Sequence, residues 1–310
     1  MAQTVDFLGI GVQKAASSWL HQNLRNHPEI WVPPQKELHY FDRSPKYSSP
    51  SYLASKHLIH RLVGLESYNK RFKALLINKL RRAIESKDWE RIRWYLRYCL
   101  GTYNDDWYLS LFELGEGKIK GEITPSYSIL DLEDVKQIKE ILPELKIILV
   151  LRNPIERAWS HVRYDWTRQL FDNISNAYKI KSFIEAPDQT LRSDYVRMLK
   201  IWSSCFHREQ IYVSFYDDVV HKPQEVILDI LEFLGVKNLG NFNNTAINRK
   251  VNVSKKMNIP VDVQYYLANK YYPELQKLND LVGGYSVVWL KEAEKILNAT
   301  QKGDIDNCQP

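Results

Sequence analysis

The stretch Phe7-Leu8-Gly9-Ile10-Gly11-Val12-Gln13-Lys14-Ala15-Ala16-Ser17-Ser18-Trp19-Leu20 constrains the fold of this chain more than any other. A short apolar run, a turn of small residues with one lysine, and two hydroxyls opening a helical pattern read as strand, anion-cradling loop and helix N-terminus. Backbone N–H groups at a helix start lack intrahelical partners, and the macrodipole places about half a positive charge there. Lys14 adds a full charge. An ordinary P-loop sets its lysine directly before Ser or Thr, after two spaced glycines. Here the glycines precede Lys14 and small residues separate it from Ser17. Taken alone, the segment reads either as an anion site or as a strand-to-helix turn with a surface lysine.

With 310 residues, 44% hydrophobic and 26% charged, the chain can bury a large core and is globular rather than disordered. Its formal charge of +6 is a small excess of 43 basic over 37 acidic residues. That balance suits an anionic ligand without requiring nucleic acid, so no nucleic-acid partner is expected. Cys99, Cys205 and Cys308 are odd in number and widely spaced, which supports neither a disulfide framework nor a zinc knuckle. No signal-peptide pattern and no apolar run of about 18 residues occurs, so the expected location is cytoplasmic and off the membrane.

Periodicity orders the rest. Residues 6–11 read as a strand and 17–26 as a helix, with Leu20 and Leu24 facing a core. A short strand at 30–32 precedes Lys36-Glu37-Leu38-His39-Tyr40-Phe41-Asp42; if extended, that segment puts Glu37 and His39 on one side. Residues 43–103 read as an inserted basic helical subdomain within a single domain spanning 1–310. Between Ser67 and Tyr98 it carries ten Lys/Arg against three Asp/Glu, with Phe72, Leu75, Leu76, Leu80 and Ile84 as a buried stripe. Its charges are either a solvated face or an attraction for an anionic substrate or partner. Strands at 118–123, 147–151 and 211–215 alternate with helices at 132–142, from Pro154, at 193–206, and at 223–234 before Gly235. The alternation predicts an α/β fold: a P-loop-like central parallel sheet flanked by helices, with an inserted helical segment. A helix is expected over 261–281 with a break near Pro273, and residues 301–310 read as a flexible tail.

The second informative stretch is Leu151-Arg152-Asn153-Pro154-Ile155-Glu156-Arg157-Ala158-Trp159-Ser160. A buried strand ending in arginine, followed by a helix bearing a serine, can present a guanidinium and a hydroxyl to one phosphate. A magnesium-dependent P-loop enzyme keeps an acidic residue at such a strand end. Arg152 stands there instead, so a metal-free anion site is expected and a P-loop nucleotide kinase is the weaker reading. A non-catalytic polyanion-binding protein using the basic helices is the other rival.

Together the two stretches resemble, in order and separation, the cofactor motifs of sulfotransferases that use 3′-phosphoadenosine 5′-phosphosulfate (PAPS). The second follows that family's R-N-P-x-x-R-A-x-S form. The first departs from K-x-G-T-T in having Ala16 for glycine and Ser17-Ser18 for the threonines. The resemblance points to the branch of heparan sulfate sulfotransferases and bacterial relatives. Residues 37–42 are similar to its E-x-H-F-F segment, Asp106-Trp107-Tyr108 with Phe112 to D-W-Y-x-x-x-F, and Gly121-Glu122-Ile123-Thr124-Pro125-Ser126-Tyr127 to G-E-K-S-P-x-Y. Ile123 stands where some relatives carry an active-site lysine, and the 43–103 insertion separates segments that lie closer together in several relatives.

The resemblance implies PAPS as donor, PAP as product and no metal. It implies donor contacts from Lys14, Ala15, Ala16, Ser17, Ser18, Trp19, Arg152 and Ser160, with Asn252 and Lys255 on a late basic loop closing over the nucleotide. Catalysis falls to Lys14 at the leaving oxygen and Glu37 as base, with His39 as its neighbour or substitute. The preferred acceptor is a hydroxyl or amine/amide nitrogen of a small molecule, such as an alkaloid toxin among bacterial natural products. A glycosaminoglycan-like polysaccharide is the alternative. Trp31, Tyr40, Trp107, Tyr127 and Trp166 are candidates to line the acceptor pocket; the oligomeric state stays open.

Overall fold

The computed structural model describes residues 5–47, 55, 57–168, 176–237, 247 and 257–306. Strand β1 (Phe7–Gly11) runs through the middle of a five-stranded parallel sheet ordered β2-β3-β1-β4-β5, with β2 at Ile30–Trp31, β3 at Ile119–Ile123, β4 at Lys146–Leu151 and β5 at Ile211–Phe215. Helix α1 (Ser17–Arg25) follows β1. The insert supplies α2 (Leu58–Val63), α3 (Ser67–Glu85) and α4 (Trp89–Leu100), and α5 (Asp105–Ser110) leads into β3. Next come α6 (Leu132–Ile141) before β4 and α7 (Pro154–Thr167) after it. Helices α8 (Ala177–Glu185), α9 (Pro187–Leu191) and α10 (Tyr195–Cys205) precede β5, and α11 (Tyr216–His221), α12 (Pro223–Leu234), α13 (Val261–Val282) and α14 (Tyr285–Asp306) complete the chain.

The strands are where their patterns put them. Ile147 to Leu151 are buried along the whole of β4, as expected of a strand covered on both faces. The chain leaves β1 towards β2 and β3 on one side, then crosses to β4 and β5 on the other. That reversal falls at the carboxyl ends of β1 and β4, the place where open α/β sheets bind ligands. Gly11 closes β1 there with φ of 140°, and a Cβ on it would lie 3.0 Å from the Pro125 carbonyl oxygen. Only glycine lets the chain turn out of the sheet so close to that backbone. Among the described residues, no helix is long and apolar enough to cross a membrane.

The insert is held by aromatic rings and by buried or paired arginines, including Arg97, which pairs with Glu113 outside it. Trp94 stacks on Tyr98 and donates its indole N–H to the Leu111 carbonyl at 2.8 Å. Arg61, fully buried, lies 3.7 Å over the Tyr103 ring and donates to the Gly101 carbonyl. The α3 stripe is shifted from its expected course: Phe72 and Ala83 are buried, whereas Ile84 is 60% exposed. Ala83, small enough to pack closely, takes the inward position that Ile84 was expected to fill. Two further differences lie at the end of the chain. Helix α13 runs unbroken through Pro273, because Tyr271, Leu275 and Leu278 are buried and this packing outweighs the roughly 3 kcal/mol local cost of the proline. Helix α14, anchored by buried Trp289 and Ala293, has no counterpart in the periodicity reading and extends to Asp306.

Candidate active site

The loop between β1 and α1 is shaped for an anion. Lys14 and Ala16 adopt left-handed backbone, with φ of 69° and 64°, a curl that gathers successive amides into a concave nest. Ala16 is the N-cap of α1, and no side chain caps the helix. Its first amides are left for a ligand or solvent. The Lys14 ammonium sits 3.4 Å from the centre of the Tyr164 ring on α7. Burial lowers its pKa to about 8, against the opposing pull of Asp165, with Arg152, Arg168 and Arg163 lowering it further.

Arg152, at the end of β4, donates Nη1 to the Lys14 carbonyl at 2.8 Å, so the two motifs meet directly. The guanidinium packs over the Tyr216 ring and touches Glu156 at 3.5 Å. Its buried Nε has no hydrogen-bond partner among the described residues. Asn153 caps α7 by accepting from the Ile155 amide, and Pro154 begins the helix. Ser160 is buried on the same helix, while Arg157 is fixed in the interior by the Ser193 hydroxyl at 3.0 Å.

Facing α1 is the 36–42 segment. It is not extended: Glu37 and His39 both have left-handed backbone, with φ of 63° and 54°. Their side chains nevertheless converge, with His39 Nε2 3.6 Å from Glu37 Oε2 and His39 Nδ1 2.8 Å from Asp42 Oδ2. Burial alone would lower the His39 pKa, but the Asp42 and Glu37 carboxylates outweigh it and raise it to about 10. Burial likewise opposes ionisation of Glu37, yet the His39 hydrogen bond and the Lys36 charge pull its pKa down to about 2. At neutral pH His39 is thus an imidazolium set between the Glu37 carboxylate and the Asp42 side chain.

The unusual backbone of this segment is pinned by β3. The Leu38 amide donates to Glu122 Oε2 at 3.1 Å and to Thr124 Oγ1 at 3.0 Å, and the Tyr40 amide donates to the Tyr127 hydroxyl. Glu122 is buried and also accepts from Thr124, Tyr108 and Tyr127. Burial raises its pKa. Two residues absent from the sequence-predicted set therefore matter: Glu122, which holds the loop, and Lys36. Lys36 Nζ lies 2.5 Å from Glu37 Oε1 and 3.3 and 3.4 Å from the Ser17 and Ser18 hydroxyl oxygens. A cation directly preceding the candidate base, and a glutamate inside an apolar strand, were the available signals.

Residues 7–239 match the family described as the sulfotransferase family. This chain is a member of it. Among curated relatives, the bifunctional heparan sulfate N-deacetylase/N-sulfotransferase 1 of Xenopus laevis is 29% identical over 178 residues, covering 52% of this chain and 20% of that protein. The corresponding Drosophila melanogaster protein is 25% identical over 166 residues, covering 45% and 16%. The chain thus spans a fifth or less of the length of these relatives. Among solved structures, a sulfotransferase from Alicyclobacillus acidocaldarius superposes with a TM-score of 0.62 at 20% identity, covering 93% of this chain and 99% of the other. A sulfotransferase domain from the curacin biosynthetic pathway gives 0.50 at 18% identity, covering 76% and 75%. The parallel sheet and its flanking helices are the fold of these neighbours.

The fold brings Lys14, Ala15, Ala16, Ser17, Ser18, Arg152, Glu37 and His39 to one end of the sheet. Trp19 is different: its buried indole donates to the Ile247 carbonyl at 2.8 Å. Asn252 and Lys255 lie outside the described residues. Of the aromatic pocket candidates, Tyr40, Trp107 and Tyr127 are buried in an aromatic core, Tyr40 against Tyr108 and Trp107, Tyr127 against Phe41, and Trp107 against Tyr98 and Tyr103. Aromatic spacing alone does not distinguish a pocket wall from a core.

Proposed function

We propose that this sulfotransferase uses PAPS as donor and moves its sulfuryl group, by in-line displacement, to a hydroxyl or nitrogen of a small-molecule acceptor. One observation carries the reading. The Lys36 ammonium touches both the hydroxyls that open α1 and the Glu37 carboxylate, so a proton acceptor stands beside a helix start suited to an anion. The residues fit the donor. Ser17, Ser18 and the loop amides suit a phosphosulfate, while the unpartnered Arg152 Nε and buried Ser160 suit a 3′-phosphate.

In the transfer, the acceptor atom forms its bond to sulfur as the bond from sulfur to the 5′-phosphate oxygen breaks. The acceptor proton passes to Glu37, and the electron pair of the broken bond leaves on the phosphate of PAP. Lys14 and the loop amides stabilise the charge growing there. His39, already protonated at neutral pH, orients Glu37 rather than taking the proton itself. A polysaccharide acceptor is the second reading, supported by the names of the curated relatives and by the exposed Lys70, Arg71, Arg81 and Arg82 on α3.

The test is transfer from labelled PAPS across small-molecule and polysaccharide acceptors. Label should move to one class in the wild type and to none with Lys14→Ala. Glu37→Gln should lose on the order of a hundredfold in rate. Near-normal turnover by the Lys14 variant overturns the assignment.

A further inference from the structure

Lys36 stands between two groups that the reaction needs separately. Its ammonium has three donors, and they meet Glu37 Oε1 at 2.5 Å, Ser17 Oγ at 3.3 Å and Ser18 Oγ at 3.4 Å. The contact with Glu37 is a short charge-assisted one; those with the hydroxyls are long. The pair is not deeply buried, with Lys36 25% and Glu37 34% exposed at their side chains. An ion pair in such a setting is weak enough to be exchanged for another anion.

The surroundings determine what can move. The Glu37 loop is fixed through the Leu38 amide on Glu122 and Thr124 and the Tyr40 amide on Tyr127. The other Glu37 oxygen faces His39, which is tied to buried Asp42. Lys36, by contrast, carries its charge on a flexible four-carbon stem. An anion seated on the Ser17 and Ser18 hydroxyls comes within reach of Nζ without any shift of backbone.

We propose, building on the donor assignment above, that Lys36 is a donor-operated latch on the base. Without donor it neutralises Glu37; with donor it passes to the sulfonate oxygens beside Ser17 and Ser18 and leaves the carboxylate free for the acceptor proton. The same motion serves both partners of the reaction. It places a cation on the group being transferred, and it lifts from Glu37 one of the two neighbours, after His39, that hold its pKa down. Donor binding therefore precedes productive acceptor binding. His39 stays on Glu37 throughout as its positioning residue.

PAPS and PAP differ by the sulfonate that Lys36 would grasp, so calorimetric titration of both nucleotides separates this role from a structural one. With Lys36→Gln, the Kd for PAPS should rise about tenfold while that for PAP changes less than about twofold, and Lys36→Arg should restore most of the PAPS affinity. PAP affinity in the same variant reports whether the cradle is intact. Equal changes for the two nucleotides, or no change for either, overturn the latch. A wild-type chain that binds neither PAPS nor PAP overturns instead the donor assignment on which the latch rests.

Discussion

Lys14 and Glu37 show how burial and neighbouring charge act in opposite directions on a single site. Lys14 is desolvated, and its pKa falls to about 8. The cation is the form that holds an anionic donor, so donor affinity should be full below about pH 8 and decline as the pH rises through that value. Calorimetric titrations across this range check it, and Lys14→Arg should flatten the decline because a guanidinium stays charged. His39 is shifted the other way, from 6.5 up to about 10. Its contribution to stability is complete below about pH 6.5 and is lost as the pH climbs through 10. His39→Asn should therefore be less stable than wild type at neutral pH in denaturant titrations, with the gap closing towards pH 10. The Lys14 shift was not legible in the sequence, where it is one basic residue among 43 and the partners Tyr164 and Asp165 lie far along the chain.

At the level of elements, the site is a strand-end loop, a helix start and a short segment pinned across from them. The positions of β1, β4 and α7 were readable because a buried strand and a proline-started helix leave strong local signals. The geometry of residues 36–42 was not, because it depends on Glu122 of β3. The extended reading put Glu37 and His39 together, and they are together, but through two left-handed residues held by hydrogen bonds from outside the segment. Glu122→Ala leaves the Leu38 amide with the Thr124 hydroxyl, and strips the Tyr108 and Tyr127 hydroxyls of their carboxylate. Each buried polar group left unpaired costs about 1–3 kcal/mol. The variant should lose several kcal/mol of stability (about 3 or more) by denaturant unfolding. At temperatures where it remains folded, it should lose kcat, because the loop it frees carries Glu37 and Lys36, while PAP affinity should change little, because the Lys14 cradle lies outside that loop. Pro273 and α14 teach a related lesson: helix continuity at the end of the chain is set by packing between α13, α14 and the core, which local propensity does not record.

Across the whole molecule, the sheet order places two sequence-distant motifs at one end of the sheet, and the Arg152 to Lys14 hydrogen bond joins them. On the proposed donor, the carboxyl ends of β1 and β4 hold a nucleotide with a phosphate at each end of its ribose. The most direct measurement compares PAP with AMP, which lacks the 3′-phosphate, by calorimetric titration of the wild-type chain and of Arg152→Ala. The expected result is that wild type binds PAP far more tightly than AMP, and that the variant narrows this preference by about tenfold or more. Equal affinity of the wild type for PAP and AMP, or no binding of PAP at all, would rule out a 3′-phosphate site at Arg152.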